Sequence, residues 1–89
     1  MEIEAVQFEP VSTAKWSIRI TIFGQGLEER AIPLVAQVGD QMVQALSTLF
    51  DGSGVSGLLV DEPAAGDVVK IGYADGPLAV TGFKYELVG

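Results

Sequence analysis

Four carboxylates fall close together in the second half of the chain: Asp61 and Glu62, then Asp67, then Asp75. Oxygen donors of this kind suit hard cations such as calcium or magnesium. A carboxylate pair can also divide the roles of general acid and general base. Two facts weigh against such a centre. Asp61 and Glu62 are consecutive, so in extended chain they point to opposite sides. Their neighbours are Gly and Pro, and Asp, Gly and Pro are the ordinary residues of turns. The turn reading is favoured.

A second cation motif overlaps the first. Asp51 and Glu62 are spaced like the first and last ligands of a calcium-binding loop, with Ser53 at the third position. Val55 then occupies a ligand position, and Ser56 stands where the tight turn needs Gly. The Gly-rich stretch Asp51-Gly52-Ser53-Gly54 is no phosphate cradle either, because it lacks the Lys and does not open a helix. No metal site is assigned.

Nucleophilic chemistry has little to work with. Ser12, Ser53 and Ser56 fall in expected loops, but the chain has no His to activate them and no Cys. A Ser–Lys pair using Lys15, Lys70 or Lys84 has no supporting motif. Trp16, Tyr73, Phe83 and Tyr85 could line a ligand groove, although aromatics at strand spacing more often fill a core. The sequence therefore assigns no catalytic residue, no cofactor-binding residue and no cofactor, and the expectation is a chain that is not an enzyme.

Charge narrows the partners. Twelve acidic residues against five basic ones give a net charge of −7. The bases are scattered and form no stripe that could displace counterions from phosphates, so nucleic acid is not an expected partner. No apolar run is long enough to span a membrane as a helix. The N-terminal segment MEIEAVQFEP alternates and is acidic, unlike a secretion signal. The absence of Cys fits a reducing compartment. The chain reads as soluble and cytoplasmic, a single domain over residues 1–89.

The elements that would position these groups are mostly strands. Glu2 to Glu9 has its apolar residues in two phases, Ile3 and Ala5 against Val6 and Phe8, which a bulge near Ala5 would reconcile. Lys15 to Phe23 alternates cleanly, with Trp16, Ile18, Ile20 and Ile22 on one face. Gly24-Gln25-Gly26 reads as a turn leading to a hairpin partner over Leu27 to Val38, where Pro33 marks an edge or a strand start. Asp40 to Asp51 reads as the one helix. Asp40 would be its N-cap, Met42, Val43, Leu46, Leu49 and Phe50 its apolar stripe, and Gly52 its C-terminal stop. A flexible connection over Asp51 to Gly57 follows, then strands at Leu58–Asp61, Asp67–Tyr73 and Leu78–Val88.

The order β-β-β-α-β-β-β implies an α+β fold: a mostly antiparallel sheet with one helix packed across one face, either curled into a roll or half-barrel or covered on its remaining apolar face by another chain. One helix covers two or three strands, yet almost every strand carries an apolar face. Ile32 to Ala36 and Leu58 to Val60 are apolar in both phases. That surplus predicts self-association as a homodimer, or a protein partner. The functional expectation is a non-enzymatic interaction or structural module. Small accessory and virion-assembly proteins have this size and character, and no motif carries that resemblance. The alternatives are a small-ligand or metal-binding module, or an accessory subunit of an enzyme.

Overall fold

The computed structural model describes residues 2–11, 18–27, 33–48 and 53–86. They contain eight strands: β1 (Glu2–Pro10), β2 (Ile18–Gln25), β3 (Leu34–Val38), β4 (Gln41–Met42), β5 (Gln44–Thr48), β6 (Gly54–Leu59), β7 (Val68–Tyr73) and β8 (Ala79–Lys84). Every pairing is antiparallel. One four-stranded sheet runs β1-β2-β6-β5 and the other β4-β3-β7-β8.

The alternating isoleucines organise the first sheet. Ile18, Ile20 and Ile22 are buried while Arg19 is exposed. Across β6 they meet Leu59, Gly57 and Val55, which are also buried. Across β1 the same face continues with Phe8 opposite Ile20 and Val6 opposite Ile22. The register slips between Ile3 and Ala5. This is the bulge that the two apolar phases of β1 required, and it leaves Ile3 and Val6 on one face.

The second sheet supplies the opposing wall. Ala36 pairs with Ile71 and Val38 with Val69, all four buried. The inner faces of both sheets contribute to one apolar cluster, to which Leu27, Val43 and Tyr85 also belong. The described residues thus form a β-sandwich whose core comes mainly from alternate residues of the central strands β2, β3, β6 and β7.

The expected α+β fold is overturned, since no residue described is helical. Gly39 and Asp40 form a two-residue hairpin turn between Val38 and Gln41, which pair across it. Gly39 has φ 60° and Asp40 does not have positive φ, the pattern of a type II′ hairpin. Asp40 therefore caps no helix. The chain then runs extended from one sheet into the other. Gln41–Met42 pairs in the second sheet, Val43 turns the corner, and Gln44–Thr48 pairs in the first. The Val43 N–H donates to the Ala36 carbonyl at 2.9 Å. The rest of the expected helix, 49–52, lies outside the described residues.

Three further expectations fail. β2 and β3 make no hairpin, because they belong to different sheets. Gly24 and Gln25 continue β2 instead of turning. The Gly-rich stretch from Gly54 onwards is not a flexible connection but β6, paired on both sides. Its glycine content has a steric reason at Gly57. A Cβ there would collide with the Val43 side chain and stand 3.0 Å from the Gln44 carbonyl oxygen. The corner between the sheets closes only because that Cβ is missing.

Candidate functional site

At the side opposite this corner, β1 and β8 are the outermost strands of their sheets. Among the described residues no strand pairs with the outer edge of either. Between them lies a groove of about 350 Å³ lined by Val6, Phe8, Gly82, Phe83, Lys84 and Glu86.

The groove follows from the pleat of β1. Val6 and Phe8 point inward, but among the described residues no strand lies beyond β1, and both remain half-buried. Phe8 meets Tyr85 edge to face, with ring centroids 4.8 Å apart and ring planes at 86°. That arrangement suits the quadrupoles of two aromatic rings.

Tyr85 backs Phe8 from the core. It is only 3% exposed. Its N–H donates to the Asp67 carbonyl at 2.7 Å, and its own carbonyl accepts from Gly66 N–H at 3.2 Å. Its hydroxyl donates to Glu62 Oε1 at 3.0 Å. Burial pushes the Tyr85 phenol above its usual range. The hydrogen bond to the Glu62 carboxylate and that carboxylate's negative charge push in the same direction. This group is held as a neutral donor.

The far wall, β8, is irregular. Gly82 has φ 86°. The register against β7 slips between Val68 and Lys70. The Thr81 hydroxyl donates to the Val69 carbonyl at 2.8 Å and accepts the Phe83 N–H at 3.1 Å. One backbone donor of β8 is therefore satisfied within its own strand.

The turn carboxylates do not converge. The Asp61 N–H and carbonyl are both bound by the side-chain amide of Gln41, each at 2.9 Å. Glu62 faces Tyr85. Asp67 Oδ2 accepts from Ala64 N–H at 3.0 Å. Asp75 is exposed in the turn between β7 and β8. Among the described residues, no three carboxylates are grouped to hold a metal ion. Of the calcium-like spacing, Asp51 lies outside the described residues, and Val55 is in the core. Ser56 faces outward on the first sheet, opposite Thr21 and Ser47. Lys70 and Lys84 face outward on the second. The two layers separate them, so no Ser–Lys pair forms with Ser56. Ser12, Lys15 and Trp16 lie outside the described residues.

Of the aromatics singled out in the sequence, Tyr85 is core and Phe83 lines the groove, while Tyr73 is half-buried opposite Leu34. Phe8 was missed as a site residue. Its signal was its phase, shared with Val6 on a strand that had no obvious outer neighbour. A second, far smaller space of about 40 Å³ lies between Pro33, Leu34, Leu46, Ser47, Thr48 and Val55. Among the described residues, no helix is long and apolar enough to cross a membrane. Comparison with family models, with curated proteins and with solved structures produced no match to this chain.

Proposed function

We propose that this chain is a non-enzymatic interaction or structural module, of the accessory or assembly type. It acts by docking a protein chain, whether a second copy or another protein, at the open side between β1 and β8. A cytoplasmic setting belongs to the same proposal and is compatible with the cysteine-free sequence.

One observation supports this reading above the others. Among the described residues, two unpaired strand edges flank a groove whose wall carries Val6, Phe8 and Phe83. Unpaired edges are the usual template for adding another chain's strand, and an adjacent apolar pocket supplies side-chain selectivity. The test is size exclusion with light scattering on the full chain across a concentration series. Self-association predicts a mass above the monomer at roughly tens of micromolar in physiological salt, and Phe83→Asp should return it to monomer. A mass that never leaves the monomer removes self-association and leaves docking of a different protein.

A small-ligand reading rests on the same groove, whose volume falls at the low end of the roughly 300–1,000 Å³ common for ligand pockets. A compound held there would raise the melting temperature by mass action.

A further inference from the structure

Resting on the reading that the open side docks a protein chain, we infer that its occupant is an extended segment of another protein, alternating basic and apolar, added as a strand along β1.

The choice of edge comes from regularity. Strand addition needs a run of outward N–H and C=O groups at even spacing. β8 cannot offer one, because Gly82 takes a left-handed φ and the register against β7 slips. β1 has one irregularity, between Ile3 and Ala5, and from Ala5 to Pro10 its register against β2 is continuous. The usable edge is the second half of β1.

The pleat then dictates the occupant's pattern. Residues beside Val6 and Phe8 would enter the groove towards Phe83 and must be apolar. Those between them would stand on the outer face, beside Ala5, Gln7 and Glu9.

Charge decides the rest. β1 carries Glu2, Glu4 and Glu9 and no base. Glu86 lies on the opposite rim. Among the described residues, two cations are near. Arg19 sits across from Glu9 on β2. Lys84 lines the β8 side, where it repels bases and confines them to the β1 side. A second copy of β1, paired antiparallel about Gln7 so that Val6 meets Phe8, would set Glu9 beside Ala5 and offer it no base. Lys or Arg on the outer positions of an added strand would instead face Glu9. The net charge of −7 draws the same kind of partner from a distance.

Edge carboxylates also guard a strand against aggregation, and the experiment separates guard from dock. Three fluorescein-labelled peptides of about seven residues, enough to span the regular part of β1, are titrated into the full chain. One alternates Lys and Val, one alternates Glu and Val, and one is the Lys/Val peptide with proline replacing its central valine. Anisotropy reads affinity and amide chemical shifts read location. The expected result is saturable binding of the Lys/Val peptide, with shifts concentrated in Val6 to Glu9. Binding should be at least about tenfold weaker for the proline peptide, which cannot complete the ladder. Glu9→Lys, at an exposed position that leaves the core untouched, should weaken binding about three- to tenfold. Equal binding of the Lys and Glu peptides overturns the inference, as does undiminished binding of the proline peptide. If no peptide binds while concentrating the chain alone shifts the same amides, the occupant is a second copy; the inference fails and the docking reading stands. If neither peptides nor concentration perturb β1, both fail.

Discussion

The two lateral sides of the sandwich solve the same problem in opposite ways. On one side a single extended segment, β4 and β5, leaves the second sheet at Val43 and joins the first, so the two layers are joined by the chain itself. On the other side β1 and β8 come close and stop, with Phe8 and Tyr85 in contact beneath a groove. The closed side depends on steric fit at Gly57. The open side depends on a tyrosine whose hydroxyl is tied to Glu62. The closed side ties the two layers together through the chain, and the proposed docking is assigned to the open one.

If that contrast is right, the largest effect should come from the closed side. Gly57→Ala should destabilise the protein by about 2–3 kcal/mol, because the added Cβ overpacks the corner against Val43 and Leu46. Denaturant midpoints measure this. A neutral result would mean that the corner can shift and that the seam is not tight.

Next in size is Tyr85→Phe on the open side. It removes a part-buried hydrogen bond to a carboxylate and should cost about 1–2 kcal/mol at neutral pH. The pH dependence gives an independent check. The folded-state phenol titrates above its ordinary 10.0. Its contribution is therefore complete below that value and is lost as pH rises through the folded pKa. Unfolding measured from neutral pH to beyond pH 10 should show the wild type losing its advantage over the Phe variant only at the alkaline end.

A smaller effect of opposite sign is expected beside the corner. Ala45 is exposed and has φ 53°, a conformation that costs a residue with a Cβ about 1 kcal/mol. Ala45→Gly should raise thermal stability by up to about that amount, measured by calorimetry. Least of all, Asp40→Ala should change stability by less than about 0.5 kcal/mol, since Asp40 is an exposed turn residue. A loss above 1 kcal/mol would reopen the idea that this carboxylate caps something.

The strand pattern was legible wherever strands are regular. Ile18, Ile20 and Ile22 alternate as half-buried strands do, and the two phases of β1 announced its bulge. The segment after Asp40 misled for a definable reason. Val43 and Leu46 turn inward while Gln44 and Ala45 are exposed between them. The left-handed residue at Ala45 and the register slip between Gln44 and Ser47 stretch the strand's period from two to three. Three is also a helical spacing, so a kinked strand imitated an amphipathic helix. Sheet membership was not legible at all. β2 finds its partner in β6 rather than in the next strand, and no local residue type records a pairing so distant. The candidate site inherits both cases. Tyr85 and Phe83 were readable as aromatics of one strand, but their meeting with Val6 and Phe8 depends on which strands end up at the edges.

The β2–β6 pairing joins segments far apart in sequence, which bears on how the sheet can assemble. β1 and β2 are near in sequence, but Ile18, Ile20 and Ile22 lack half their cover until Val55 and Leu59 are in place. Contacts of such long sequence separation slow folding, because a long loop must close before they form. Throughout that interval the growing sheet shows water an apolar face beside an unpaired edge. Glu2, Glu4 and Glu9 charge that edge from the first residues onward. Mutual repulsion between incomplete chains is thus available before the rest of the sandwich exists to hide their isoleucines.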